Sequence, residues 1–222
     1  MRRIKKGKEP HLWKVHRTSR GAVYDSQEGV GPTAEAKKKL REALLDEQGH
    51  LCCYCMARIP VKPDGMKIEH WAPQSKSTSP AETMAYSNLL GACPGGEGSR
   101  PADQHCDTAK GSLPLHTHPA DPNKDCTVLF TYASTGKIEG CTEEAKEDIA
   151  TLNLNVPRLV EARKAVLQGL LDWLKSPRNR GRSLSKNELL GKAQSYEEGR
   201  KKLDAFCQVA IYWLAKHASQ RA

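Results

Sequence analysis

The stretch that decides the reading runs from Leu51 to Gly111. It contains LCCYCMARI at residues 51–59, MKIEHWAP at 66–73, YSNLLGAC at 86–93 and HCDTAKG at 105–111. Cys52 and Cys55 are two residues apart, a spacing at which one turn brings both thiolates to a single ion about 2.3 Å from each sulfur. Cys93 and Cys106 supply two more soft ligands, and the PGGEGSRPADQH between them is loop material that can bulge out without moving its ends. Five of the eight cysteines (Cys52, Cys53, Cys55, Cys93 and Cys106) fall in this stretch. Nothing like a signal-peptide apolar core follows the basic start, so an intracellular setting is expected, and there such clustering points to a metal rather than to a disulfide framework. The expectation is structural zinc on Cys52, Cys55, Cys93 and Cys106. Cys53 in place of Cys52, and His105 in place of Cys106, stay open as alternatives. Cys126, Cys141 and Cys207 are isolated and read as small packing residues.

Between the two cysteine pairs, Met66 to Trp71 reads as a short strand carrying Glu69 and His70, and Pro73 to Pro80 as a polar loop. A short helix is predicted from about Ala81 to Tyr86, and Asn88 to Cys93 leads into the Gly/Pro-rich loop 94–103. The residue types suit phosphodiester hydrolysis. A neutral imidazole can take a proton from water near pH 7. Carboxylates are hard oxygen ligands for Mg²⁺ or Mn²⁺, which would offset charge on a phosphate.

At Glu69-His70-Trp71-x-Pro73, at Tyr86-Ser87-Asn88-Leu89-Leu90 and at His105-Cys106-Asp107-x-x-Lys110-Gly111, the chain resembles the HNH endonuclease family. The resemblance implies an α+β fold: a ββα-metal nuclease core with a structural zinc knuckle, flanked by a basic N-terminal arm and C-terminal helices. It also implies metal-dependent cleavage of DNA. By the family's motif His70 is the general base, Glu69 and Asp107 hold the catalytic Mg²⁺ or Mn²⁺, and Asn88 holds the loop that carries the base. Lys110 matches a residue that reaches a phosphate, and Lys76 is a second candidate nucleic-acid contact. The third motif position is Asp107 rather than His or Asn, so His105 is the alternative metal ligand. More narrowly, MRRIKKGKEP at the start, the central blocks and LNLN at 152–155 are similar to the nuclease subunits of Septu-type anti-phage systems, also found with some retrons. That similarity implies a cytoplasmic bacterial defence effector held in check by an ABC-type ATPase partner.

Outside this stretch, residues 1–31 read as an extended arm, basic and then Gly-rich (Gly21, Gly29, Gly31). Residues 1–20 set eight basic side chains against a lone Glu9. With the basic stretch from Lys175 to Lys186 and a net charge of +9, this favours a polyanionic partner through counterion release. Aromatic residues are 5% of the chain, which argues against aromatic stacking platforms for single-stranded nucleic acid. No apolar run approaches the roughly 20 residues that span a bilayer, so no membrane role is expected. Thr33 caps a predicted helix to Gln48, which Gly49 ends. Residues 32–125 form the expected nuclease core and 126–222 a hairpin and helical region. In the latter, strands are expected at Thr127–Tyr132 and Lys137–Glu139, and Thr142 caps a short helix. Longer helices are expected over Pro157–Lys175 and Tyr196–His217. The main rival to a nuclease is a non-catalytic zinc module that binds nucleic acid or a protein. His116 and His118 read as surface-loop residues.

Overall fold

The computed structural model of the chain describes residues 1–25, 30–60, 65–76, 79–197 and 201–221. Gly29 and the tip of the Pro73–Pro80 loop (residues 77–78) lie outside the described residues.

Two helices open the fold, α1 (His11–Arg17) and α2 (Ala34–Glu47). The Thr33 side chain accepts from the Ala36 N–H, as the sequence predicts, and Ala36, Leu40 and Leu44 form the buried face of α2. After α2 the chain turns sharply. Gly49 has φ +61, and a Cβ there would lie 2.5 Å from Leu203 Cγ, so the turn needs glycine for both reasons. Strands β1 (Lys67–His70) and β2 (Leu89–Ala92) pair antiparallel, with Glu69 opposite Leu90 and His70 opposite Leu89. Between them lie α3 (Pro80–Thr83) and a 3₁₀ turn at Tyr86–Asn88, shorter pieces than the helix predicted there. The single turn α4 (Asp107–Lys110) starts directly after Cys106.

A second hairpin follows, β3 (Phe130–Tyr132) with β4 (Ile138–Gly140), and then α5 (Glu143–Thr151) and α6 (Pro157–Lys175). The Thr142 side chain caps α5 by accepting from the Ala145 N–H. The chain ends with α7 (Lys186–Gln194) and α8 (Cys207–Ser219). One apolar core runs from Met1 through the cysteine knuckle and both hairpins to Val209. A smaller cluster joins α6, α7 and α8 around Leu170, Leu189 and Leu214.

Three expectations are corrected. The N-terminal segment is packed rather than extended. Trp13 on α1 is fully buried, and its indole N–H donates to the Met84 carbonyl at 3.1 Å. Lys6 lies 3.8 Å from the centre of the Tyr86 ring and donates to the Leu89 carbonyl, so part of the basic charge points inward. Second, Tyr196–His217 is not one helix. The Leu203 N–H bonds to the Gly49 carbonyl and the Phe206 N–H to the Met56 carbonyl, while Phe206 sits at φ +57. Those donors are tied to the knuckle and cannot join a helical ladder, so α8 begins only at Cys207. Helix α7 was missed, although its capping box of Ser185 and Glu188 is a readable start signal. Third, Cys141 is exposed, unlike the buried Cys126 and Cys207.

Candidate active site and cysteine cluster

Cys52 and Cys55 lie on the turn after α2, Cys93 just beyond β2 and Cys106 just before α4. The fold draws these three segments together. All four residues are buried, and their sulfur atoms lie within 4.8 Å of one another. Cys52 Sγ is 3.8 Å from Cys106 Sγ, and Cys55 Sγ is 3.8 Å from Cys93 Sγ. A tetrahedral ion with bonds of about 2.3 Å has edges of about 3.8 Å between its sulfurs. The donor set and its dimensions therefore fit zinc, and none of the four is in a disulfide.

The alternatives fall away on geometry. Cys53 is not among the four, and burial pushes its thiol well up, toward the neutral form. Its backbone N–H bonds to the Gly91 carbonyl instead, pinning the knuckle to β2. His105 is buried beside the cluster, its Nδ1 3.2 Å from Cys106 Sγ and 4.0 Å from Cys93 Sγ. It therefore sits with the thiols rather than with the carboxylates of Glu69 and Asp107.

A cavity of about 370 Å³ brings Glu69, His70, Asp107 and Lys110 together. Glu69, at the end of β1, is 2% exposed. Its Oε1 accepts from the Tyr54 hydroxyl at 2.7 Å and from Lys110 Nζ at 2.5 Å. Burial, and then the neighbouring Asp107 carboxyl, push Glu69 up to about 8 against the opposing pull of Lys110. His70 responds the other way. Burial and the Lys110 charge lower it to about 4, which leaves a neutral imidazole at neutral pH. Among the described residues its buried Nε2 has no hydrogen-bond partner. Its Nδ1 lies 3.3 Å from the Gln74 amide, and its ring meets Tyr24 edge-on at 4.3 Å between centroids.

The Asn88 side chain bonds to the backbone of Ala72, two residues past His70. Its Oδ1 accepts from the Ala72 N–H at 2.8 Å and its Nδ2 donates to the Ala72 carbonyl at 3.2 Å. The Trp71 N–H also bonds to the Asn88 carbonyl, extending the β1–β2 ladder by one residue. Both ends of one peptide segment just past His70 are thereby clamped.

One predicted role does not match its position. Lys110 is 1% exposed, and its ammonium is engaged by Glu69 and by the His70 carbonyl at 2.7 Å. A buried ammonium must be paired, so it braces the strand end instead of reaching out to a phosphate. Lys76 lines a different cavity, on the far side of the 72–76 loop. His116 Nε2 meets Glu147, and His118 Nε2 meets the Ser87 carbonyl. Tyr54, Tyr24 and Gln74 were not foreseen as site residues. For Tyr54 a signal existed: an aromatic hydroxyl inside a buried cysteine turn needs a partner. Tyr24 carries no such local mark.

No protein-family profile matches the chain. A protein of Vibrio cholerae serotype O1 biovar El Tor, named as a candidate HNH endonuclease of retron Vc95, is 30% identical over 157 residues, covering 67% of this chain and 73% of that protein. The chain belongs to the HNH endonuclease family. The Septu protein PtuB of Bacillus thuringiensis is 26% identical over 142 residues, 61% of this chain but only 49% of PtuB. Among the described residues of the chain, no helix is long and apolar enough to cross a membrane. Two carboxyls pressed together in one cavity, with Glu69 driven toward its protonated form, make a donor set that a divalent cation would relieve. Glu69 and Asp107 are hard oxygen donors of the kind such an ion takes, whereas among the described residues the four thiols alone stand together as a ready-made metal set.

Proposed function

We propose that the chain is a metal-dependent endonuclease that hydrolyses DNA phosphodiester bonds. The observation that carries this reading is His70: a neutral imidazole with an unpartnered Nε2, in one cavity with Glu69 and Asp107. His70 takes the proton of the attacking water at Nε2 as general base. Nδ1 then carries the ring hydrogen, and half a turn of the Gln74 amide offers it an oxygen acceptor. The water oxygen bonds to phosphorus as the ester P–O bond breaks. Asn88 keeps the segment after His70 in place, and Lys110 holds the Glu69 carboxylate at the end of β1. Glu69 and Asp107 would hold Mg²⁺ or Mn²⁺, which supplies charge stabilisation for the phosphate and the leaving oxygen. Zinc on the four cysteines is structural.

The similarity to PtuB supports a place in anti-phage defence, with the ABC-type ATPase PtuA as the controlling partner and a bacterial cytoplasmic location. On this reading residues 32–125 are the nuclease core and residues 126–222 a hairpin and helical region. The test is plasmid cleavage with Mg²⁺ or Mn²⁺ by wild type and His70→Ala, each alone and with the ATPase. Cutting should vanish in the variant while zinc content stays intact. Cutting retained in His70→Ala would overturn the assignment. No cutting by the zinc-loaded wild type in any condition would leave the non-catalytic zinc module.

A further inference from the structure

A second cavity, across the loop from the candidate active site, holds none of the residues that bind the metal or move the proton in the chemistry above. It measures about 500 Å³, in the range of small-molecule sites, roughly 300–1,000 Å³. Trp71, Lys76, Glu82, Ser87, His118 and Asp121 line it. It lies back to back with the candidate active site across one loop. Pro73, Gln74 and Ser75 face the His70 cavity, while Ala72 and Lys76 face this one. Asn88, which clamps Ala72, also lines it.

Two aromatic rings form its characteristic wall. Trp71 and His118 lie 4.5 Å apart between centroids, with their planes at 53°. Their polar atoms are already satisfied. Trp71 Nε1 donates to the Thr117 carbonyl at 2.9 Å. His118 Nδ1 accepts from the Ala120 N–H at 2.9 Å, which leaves Nε2 to donate to the Ser87 carbonyl at 3.1 Å. That arrangement fixes a neutral tautomer. The rings therefore offer only carbon surface to an incoming group. Around them stand two carboxylates, Glu82 and Asp121, against one ammonium, Lys76. This balance disfavours a phosphate. It suits a flat, neutral, aromatic group whose edge carries donors and acceptors.

We infer that this cavity is a subsite for one unstacked nucleobase of the substrate strand, close to the bond being cut. The base lies against Trp71 and His118, with its edge toward the polar rim. This inference rests on the nuclease reading for the identity of the strand. It gives the protein a way to sense whether DNA at the cut site is unpaired.

The test uses the full chain carrying His70→Ala, so that the probe survives, and measures binding of a fluorescent single-stranded oligothymidylate. Trp71→Ala or His118→Ala, added to that background, should weaken binding about tenfold or more, the usual effect of removing a base-stacking ring. Trp71→Phe should restore most of it. In wild-type ring context, an oligonucleotide with one abasic residue, moved along the strand, should show the same loss at one position. With that probe the ring substitutions should cost nothing further, since each removes the same contact. The abasic series needs no ring substitution, so it holds even if a variant misfolds. Unchanged binding in both ring variants, no sensitive abasic position, or no oligonucleotide binding at all would each overturn the subsite, the last including a cavity that takes a peptide instead. Plasmid cutting by wild type without any ring or abasic effect removes the subsite and keeps the nuclease. Ring-dependent binding without cutting keeps a base-binding cavity and removes the nuclease.

Discussion

Glu69 and His70 are adjacent in the chain, yet burial moves them in opposite directions, because it penalises whichever form is charged. Glu69 is raised from 4.5 to about 8, so above 4.5 the folded protein keeps a proton that the unfolded chain has released. Its contribution makes stability fall as pH rises from about 4.5 to 8. His70 is lowered from 6.5 to about 4, so in that window the unfolded chain binds the extra proton and stability rises with pH. Of these two residues, only Glu69 contributes a slope between pH 6.5 and 8, where the buried Met1 amino group, lowered to about 5, contributes one of opposite sign. Without Mg²⁺, the melting temperature of the wild type should therefore fall relative to that of Glu69→Gln across that interval, since the variant lacks the Glu69 slope. Equal slopes for the two proteins would show that Glu69 is not held protonated by its surroundings. The motif pointed to both residues, but their protonation states depend on Tyr54, Asp107 and Lys110, which reach them only through the fold.

At the scale of elements, local signals worked where the deciding interaction is local. Thr33 and Thr142 cap α2 and α5 because each side chain lies three residues from the N–H that it accepts. The same signals failed where a distant partner claims the backbone, as at Leu203 and Phe206, whose N–H groups go to Gly49 and Met56. Asn88 joins both cases, since a local 3₁₀ turn presents a side chain that closes the loop after β1. Asn88→Ala strands a backbone donor and acceptor of Ala72, which should lower stability by about 1–3 kcal/mol. Plasmid cutting should fall with it, as the segment beside His70 loses its clamp. Asn88→Asp, which keeps the acceptor for the Ala72 N–H, should be milder in denaturant melts. An unfolding midpoint unmoved by Asn88→Ala would rule out the clamp.

Across the whole molecule, the four-cysteine cluster ties the knuckle, the end of β2 and the start of α4 to one point. The knuckle is in turn bonded to the segment before α8. Structural zinc supplies folding energy directly. Cys55→Ser, or a strong chelator applied to wild type, should therefore remove about one zinc per chain. Loss of the metal should also unfold the centre, seen as a collapse of the thermal transition, whereas His70→Ala keeps its zinc. A chelated protein that still melts like the wild type would mean that the thiols pack without needing a metal. By itself the sequence determined the kinds of ligand, their spacing inside each short motif and the caps of the main helices, because these depend on residues a few positions apart. Only the tertiary structure decided that Cys53 stays outside the thiol set and that His105 joins the thiols. It also decided that Lys110 is buried against Glu69 and that the basic N-terminal segment packs inward. A lysine in a sequence is simply a charge; whether that charge meets water, a carboxylate or an aromatic ring is set by partners tens of residues away, such as Glu69, 41 positions before Lys110.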